Sequence, residues 1–341
     1  DLHSFPTRRS SDLNYLLALG IGTVTEVVLN IWISWYVEQK YPFLRQRRKE
    51  KSTSSLTKRI VRDLKSLFIS RISEKMLYCT DNLIISGFIG VGTVGRYANY
   101  CMITQAISNI LTILANTIQP TVGDYFTEKN RQRNYEILRQ LTFGFFCIAS
   151  VVSVGLFSLI TPFVRDIWLG PSYELGWGIT VFCIVVLLVR IMGLPLSLVM
   201  GVTGLFEKEK NVGASSALLN LIVSLALVKP YGMAGVLLGT LLSYLLQILY
   251  RYIIYFRDFL EMPGEALRYA QDIGEYLAVI AGEVLLMQKI VPLIYGAGGM
   301  LLFCVCFLLC IAIPLLLDLV IFGRGWRLQS IVTMVKGMRK A

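Results

Sequence analysis

The sequence predicts an all-α integral membrane protein, a polytopic transmembrane bundle of about nine helices. Its 341 residues are 55% hydrophobic and 16% charged, and the mean hydropathy is +0.61, outside the range of ordinary soluble domains. Nine apolar segments follow one another, each near the ~20 residues that a bilayer requires. They cover residues 14–37, 66–90, 92–119, 142–164, 177–200, 211–228, 232–250, 274–295 and 298–322.

The first thirteen residues differ from everything that follows. DLHSFPTRRSSDL is polar, begins without Met and resembles the translated sequencing-adapter peptide found on metagenomic fragments. We therefore predict that residues 1–13 are not native and that an N-terminal part of the protein is missing from this chain.

Basic residues in the connections predict how the chain is oriented, because basic loops stay in the cytoplasm. The connection 38–65 holds ten Lys and Arg, 120–141 holds four and the tail 323–341 holds five, whereas the alternate connections hold only Arg165 and Lys229. We expect a multi-pass membrane protein with its C-terminus in the cytoplasm. The net charge of +11 is explained by these loops, and nucleic-acid binding is the weaker interpretation.

Cysteine and histidine usage gives no sign of a metal, a cofactor or a catalytic centre. All seven cysteines lie in or beside apolar runs, which predicts buried thiols without disulfides, and His3 is the only histidine in the sequence. We therefore expect neither an enzyme nor a metalloprotein.

Two consecutive apolar segments each carry a polar stripe at steps of three and four residues, which places each stripe on one helix face. A membrane helix with a polar face needs water or a polar partner beside it. The stripes therefore predict two walls of a water-accessible cavity. The first stripe comprises Arg71, Glu74, Lys75, Tyr78, Asp81 and Asn82, and the second comprises Gln105, Asn109, Thr112, Asn116 and Gln119.

Three stretches carry a resemblance to a known family. They are NYLLALGIGTVTEVVLNIWISWYVEQKYPFL at 14–44, TDNLIISGFIGVGTVGRYANY at 80–100, and the region 202–245 with an N-x-x-x-S helix, a Y-G-M-x-G-V corner and a G-T helix. They resemble the oligosaccharide-lipid flippases of the multidrug/oligosaccharidyl-lipid/polysaccharide exporter superfamily. The resemblance covers nearly everything after residue 13.

The resemblance implies the C-terminal lobe of a two-lobed alternating-access transporter. Residues 14–37 would be the last helix of the N-terminal lobe, 38–65 a basic cytoplasmic loop and 66–252 a six-helix C-terminal lobe. Residues 253–322 would add two helices before the basic cytoplasmic tail 323–341. Since family members have twelve or fourteen helices, we expect that this chain does not transport by itself.

The function that the resemblance implies is flipping of a polyprenyl-diphosphate-linked oligosaccharide across the bacterial cytoplasmic membrane for O-antigen, capsule or exopolysaccharide assembly. The expected partners are this substrate, membrane lipids, and a polysaccharide polymerase with its assembly machinery. The alternatives are a cation-coupled drug or metabolite antiporter of the same superfamily and an integral-membrane polysaccharide polymerase or ligase. A polymerase or ligase would normally have a large outer loop with catalytic side chains, and the outer connections here are short.

Charged residues inside apolar segments are the candidate substrate ligands, because each costs roughly 2.5 to 3.5 kcal/mol at the bilayer centre. We hypothesise that amide and aromatic side chains bind sugar hydroxyls and that the pyrophosphate is attracted by four cations, Arg71, Lys75, Arg96 and Arg190. Internal ion pairs of Arg71 and Lys75 with Glu74 or Asp81 are an equal alternative, and Arg96 could lie at the membrane interface. The substrate-binding candidates are Arg71, Lys75, Tyr78, Arg96, Asn99, Gln105, Asn109, Asn116 and Arg190.

A coupling proton or sodium ion would need a buried carboxylate, and Asp81, Glu26 and Glu283 are the candidates. Structural pairing of these carboxylates is the alternative. Gly193 with Pro195 is the candidate hinge, because the pair could let a helix bend as the lobes move.

Overall fold

The computed structural model describes residues 6–41, 79–126, 130–296 and 298–323, and the single positions 61, 64, 68, 72 and 76. Side chains are described throughout these residues except at 6–16, 19 and 206–211. Within this part of the chain the structure is helical and contains no strand, which confirms the all-α prediction.

Eight helices follow one another along the described residues. They are α1 (Pro6–Lys40), α2 (79–88), α3 (Val91–Tyr125), α4 (Arg131–Pro162), α5 (Trp177–Thr203), α6 (Phe206–Ile254), α7 (Pro263–Tyr295) and α8 (Met300–Phe322). A π-helical turn extends α4 (Phe163–Trp168), another extends α6 (Tyr255–Leu260), and a short 3-10 turn (Pro171–Tyr173) precedes α5.

Helix α1 belongs to a compact unit of its own, residues 1–59, whereas residues 60–341 form a second unit. It begins at Pro6, eight residues before the predicted segment 14–37. Its apolar side chains from Ile21 to Tyr36 are exposed, as expected of a helix that meets lipid or another protein.

Among the described residues, six helical segments are long and apolar enough to cross a membrane, which makes the chain a multi-pass membrane protein. They are Val91–Tyr125, Arg131–Trp168, Trp177–Thr203, Val212–Leu260, Pro263–Tyr295 and Met300–Phe322. Large apolar side chains on their outer surfaces, such as Leu293 at 85% and Leu301 at 79% exposed, suit contact with lipid tails. The predicted total of about nine helices stays a prediction.

Helix α6 is a hairpin of two arms, because Gly232 leaves helical geometry with φ 57° and ψ −135°. The first arm covers 206–231 and the second covers 233–254. Gly235 lies against the Leu227 backbone, and a Cβ there would collide with the Leu227 carbonyl. This corner matches the predicted break between segments 211–228 and 232–250.

Helix α5 is central to the second unit, since it packs against α3, α4 and α6. Helix α4 contacts α5 on one side and α7 and α8 on another. One apolar core lies mainly among α4, α5, α7 and α8, and a second lies among α2, α3, α5 and α6. The bundle therefore has two packed regions that share α5.

Polar contacts fasten α7 to α4 at two levels. Arg139 donates two hydrogen bonds to Asp272, at 2.6 and 3.0 Å, and the Tyr295 hydroxyl contacts Asp166 of the π-helical turn at 3.1 Å. At a rise of ~1.5 Å per residue, Asp272 and Tyr295 are about 35 Å apart along α7, enough to cross a hydrocarbon core. Helix α7 is thus held to α4 over its membrane-crossing length.

The cysteines differ from the prediction in part. All seven are free, and Cys183, Cys306 and Cys310 are buried. Cys79 and Cys304 are exposed, so the prediction of buried thiols is wrong for these two. Cys79 lies on an exposed side of α2 and Cys304 on an exposed side of α8, and the hydropathy of an apolar segment does not show which helix face is buried.

Replacing Gly235 by Ala should destabilise the α6 hairpin, because the added methyl group meets the Leu227 backbone, which cannot rotate away. We expect a loss of about 1–3 kcal/mol, the usual cost of overpacking. The measurement is the thermal melting of helical circular dichroism in detergent. The matched control is Gly274→Ala in α7, where a Cβ meets nothing within 4 Å. Equal melting of the two variants would contradict the packing described for the hairpin.

Candidate functional site

A cavity of about 260 Å³ lies between α2, α3, α5 and the second arm of α6. Its lining includes side chains from all four elements, and most of its polar members come from α2, α3 and α6. The polar and aromatic lining residues are Asp81, Asn82, Tyr97, Thr104, Gln105, Arg190, Thr240 and Tyr244.

Asp81 of α2 is a buried carboxylate, with 5% of its surface exposed. It accepts a hydrogen bond from the Asn220 amide at 3.1 Å and a shorter one from the Thr240 hydroxyl at 2.6 Å. These donors belong to opposite arms of α6. A single carboxylate therefore links α2 to both arms of the hairpin.

The hairpin brings these donors together through a small polar cluster. Asn220 and Ser224 are one helical turn apart on the first arm, both fully buried, and the Ser224 hydroxyl donates to Asn220 Oδ1 at 2.9 Å. Gly239, next to Thr240 on the second arm, faces this pair so closely that a Cβ would lie against Ser224 Oγ. The absence of a side chain at Gly239 lets the second arm place Thr240 beside Asp81.

Arg190 of α5 is half-buried at the cavity wall, with its guanidinium carbon 5.3 Å from the centroid of the Tyr244 ring. This is a cation–π distance, and it holds the charge against an aromatic face. Arg190 and Asp81 are the charged residues of the described lining. The lining is thus balanced in charge over the described residues, whereas the sequence predicted a cationic cavity.

The structure places three of the predicted residues at the cavity, namely Asp81, Gln105 and Arg190. Four others are described but do not belong to its lining. They are Arg96, Asn99, Asn109 and Asn116, of which Asn99 donates to the Gly95 carbonyl of its own helix at 3.1 Å. Arg71, Lys75 and Tyr78 lie outside the described residues.

The polar stripe of α3 reaches the cavity at one end. Its members recur every 3.5 residues on average, whereas a helix turns once in ~3.6, so such a stripe drifts around the axis. Gln105 lines the cavity, but Asn109 and Asn116 are exposed. Of this stripe, Gln105 therefore belongs to the described lining, and a water-accessible wall formed by the whole stripe stays a prediction.

The other two ion-coupling candidates lie in different environments. Glu26 is exposed on α1, and Glu283 is buried on α7, where it accepts a hydrogen bond from Ser150 of α4. Neither belongs to the cavity lining.

Helix α5 continues as a helix through the hinge candidates Gly193 and Pro195 to Thr203. Both residues are buried, and a Cβ at Gly193 would lie 2.9 Å from a side-chain carbon of Ile248. Gly193 thus lets α5 approach the second arm of α6, which accounts for the glycine by packing. Bending at this position stays a prediction.

Sequence reasoning assigned no role to Asn220, Ser224, Thr240 or Tyr244. The first three were visible as the N-x-x-x-S and G-T motifs. Their separation from Asp81, by 139 residues for Asn220 and 159 for Thr240, hid the contact. Over the described residues, no group of three or more His, Cys, Asp and Glu is arranged to hold a metal ion.

No family model, curated protein or solved structure matches the chain. The flippase resemblance therefore remains a prediction from the motifs quoted above. The site must be interpreted from its own chemistry, which is a guanidinium over an aromatic ring and a buried carboxylate cluster in one membrane cavity.

Thr240→Val should destabilise the protein by about 1–3 kcal/mol, because it keeps the side-chain shape but removes the shorter hydrogen bond to buried Asp81. Thermal melting in detergent measures the change. The control is Thr117→Val, which removes an exposed hydroxyl that bonds only to the Ile113 carbonyl of its own helix. A Thr240→Val protein that melts like Thr117→Val would show that the Asp81 cluster does not hold α2 to α6.

Proposed function

We propose that the chain is part of a transporter that flips a polyprenyl-diphosphate-linked oligosaccharide across the bacterial cytoplasmic membrane. The observation that carries this proposal is the membrane cavity that combines Arg190 with the buried Asp81 cluster. A charge inside a membrane bundle is costly and is normally retained for a ligand or ion pathway. The proposed orientation places the C-terminus in the cytoplasm. The flipped oligosaccharide is then passed to a polysaccharide polymerase and its assembly machinery.

Arg190 is the proposed ligand of the diphosphate. Its planar guanidinium can donate two parallel hydrogen bonds to phosphate oxygens, and Tyr244 holds its position. Gln105 of the same lining supplies an amide for sugar hydroxyls. Binding here replaces the hydration that a diphosphate would lose on entering the bilayer.

The cavity volume limits what can be bound. About 260 Å³ lies below the ~300–1,000 Å³ typical of sites that enclose a drug-sized ligand. The cavity therefore suits the diphosphate and an adjoining sugar, while the lipid tail stays in the bilayer. The remaining sugars need space beyond the described lining, which a second lobe would provide in a two-lobed transporter.

Asp81 is the proposed site of the coupling proton or sodium ion. The Asn220 amide and the Thr240 hydroxyl contact its carboxylate, the Ser224 hydroxyl contacts Asn220, and these groups offer further oxygen atoms to a cation. A cation bound to Asp81 would compete with the hydrogen bonds that join α2 to the α6 hairpin. Cation binding is thereby linked to the packing of two cavity walls, as alternating access requires.

A cation-coupled antiporter for drugs or metabolites is the second candidate function. The described lining supports the antiporter more strongly than the sequence did, because the lining contains the negative Asp81 as well as the positive Arg190. A cationic drug would bind to the Asp81 side, whereas a diphosphate would bind to Arg190. The ligand preference of the purified protein therefore distinguishes the two candidates.

Arg190→Gln should weaken binding of a polyprenyl diphosphate by about 10-fold or more, since charge-assisted hydrogen bonds contribute roughly 1.5–3 kcal/mol. Binding is measured by native mass spectrometry of the purified chain in detergent. The matched control is Arg96→Gln, which removes an exposed arginine outside the cavity lining.

Polyprenol without phosphate serves as the ligand control and should bind both variants equally. If Arg190→Gln and Arg96→Gln bind the diphosphate equally well, Arg190 is not its ligand. If a cationic dye binds and the diphosphate does not, the antiporter candidate replaces the flippase.

Asp81→Asn should abolish the response of the protein to its coupling cation. For sodium, we expect that NaCl raises the melting temperature of the wild type above its value in choline chloride, and that Asp81→Asn removes this difference. Asp124→Asn, which changes an exposed carboxylate on α3, should leave it intact. A sodium effect that persists in Asp81→Asn would place the cation elsewhere.

A further inference from the structure

A second pair of buried carboxyl groups lies where α4, α7 and α8 meet. Glu283 of α7 is 3% exposed and Asp318 of α8 is 4% exposed. Ser150 of α4 is fully buried and donates a hydrogen bond to Glu283 Oε2 at 2.6 Å. Asp318 was not among the sequence candidates, although it is a lone carboxylate within the apolar segment 298–322.

Three of the four carboxyl oxygens in this pair lack a hydrogen-bond partner among the described residues. They are Glu283 Oε1 and both oxygens of Asp318, and all three are sealed from solvent. Glu283 and Asp318 also interact electrostatically with each other. Two ionised carboxylates so placed would repel each other without the hydration or the donors that a buried charge needs.

The pair lies near the middle of the membrane-crossing length. Glu283 is eleven residues after Asp272 and twelve before Tyr295, the two points that fasten α7 to α4. At ~1.5 Å per residue these separations are about 16 and 18 Å. Water therefore has no short route to Glu283 from either end of α7.

The surroundings offer no compensating cation among the described residues. The groups that interact electrostatically with the pair are Ser150 and the Cys147 thiol on α4. Tyr276 of α7 belongs to the neighbouring aromatic cluster and is stacked on Phe146 at 4.5 Å between ring centroids. The Arg139 guanidinium of α4 is paired with Asp272, about 16 Å from Glu283 along α7 at ~1.5 Å per residue.

We propose that Glu283 and Asp318, with Ser150, form a proton-binding site between α4, α7 and α8. One of the two carboxyl groups holds a proton, which removes one of the two like charges, while Ser150 supports Glu283. Paired carboxyls that share a proton are a known solution to like charges in close proximity. The ligand is a proton because Mg²⁺ and Ca²⁺ take six or more oxygen ligands, several of them usually water, and this sealed site offers two carboxyls and one hydroxyl.

This site is distinct from the Asp81 cluster, which is built by α2 and α6. It would bind its proton whether or not the protein carries a lipid-linked sugar. Losing the proton would leave two negative charges between three packed helices. Proton release therefore requires α7 or α8 to separate from α4, so the site links protonation to the packing of these helices.

Infrared difference spectroscopy of the purified chain in detergent tests the proposal, because a protonated carboxyl has a C=O absorption distinct from that of a carboxylate. We expect a protonated-carboxyl band in the wild type that shrinks in alkaline buffer. The band should be lost or shifted in Glu283→Gln and in Asp318→Asn. Asp124→Asn, which alters an exposed carboxylate, should keep the band.

Thermal melting of the same proteins gives an independent readout. The folded state holds a proton that the unfolded chain releases, so the wild-type melting temperature should fall as pH rises. The Glu283→Gln/Asp318→Asn double variant should lose much of this dependence. If the double variant does not fold, the pH dependence of the melting temperature is measured on either single variant.

Two results would overturn the proposal. One is a band that is absent from the wild type, or is unchanged in whichever of the two single variants folds. The other is a response to sodium at constant pH that both variants abolish, because that would make the site a metal-cation site. Neither result bears on polyprenyl diphosphate binding at Arg190, so the proposed function is tested separately.

Discussion

The hydrogen bonds that Asp81 accepts from Asn220 and Thr240 are the interaction on which the cavity depends. The Asp81 carboxylate is buried, so a bundle inside a membrane must supply its hydrogen-bond partners from the protein. Those partners lie on the two arms of α6, and they meet because the chain turns at Gly232 and comes close at Gly235 and Gly239. One polar requirement thus explains where the hairpin turns and why its inner face carries glycines.

The need of buried charged groups for protein partners is met differently where α4, α7 and α8 pack together, a region that we call the α4 block. Arg139 and Asp272 form a complete bidentate pair toward one end of α7, and the cluster of Phe143, Phe146, Tyr276 and Phe322 fills the adjoining space. Farther along α7, Glu283 and Asp318 have too few donors. A satisfied pair fixes the helices, whereas an unsatisfied pair makes their packing depend on a proton.

Much of the helical architecture follows from sequence, because long apolar runs with basic connections leave few other folds for the chain. The corner at Gly232 was also predictable from its motif.

The site was predictable only where a charged residue interrupts an apolar segment, as for Asp81 in α2 and Arg190 in α5. Asn220 and Thr240 resemble ordinary small polar residues of membrane helices until the hairpin places them beside Asp81. Arg96 and Arg190 are similarly conspicuous in sequence, but helix rotation leaves Arg96 exposed and brings Arg190 to the cavity. The rotation of each helix about its axis depends on packing against segments that are distant in sequence. The periodicity within one segment does not reveal this rotation.

Helix α5 connects the two regions, together with α3 and α4, which also contribute buried residues to both cores. Arg190 faces the cavity, and one position later Ile191 is buried in the core that α5 shares with α4, α7 and α8. Gly193 then holds the same helix against Ile248 of the second α6 arm. A tilt of α5 would therefore change the position of the Arg190 guanidinium and the packing against α4 together. Any ligand that binds Arg190 more tightly in one of two α5 positions must favour the corresponding arrangement of the α4 block, since a ligand shifts an equilibrium by its difference in affinity for the two states.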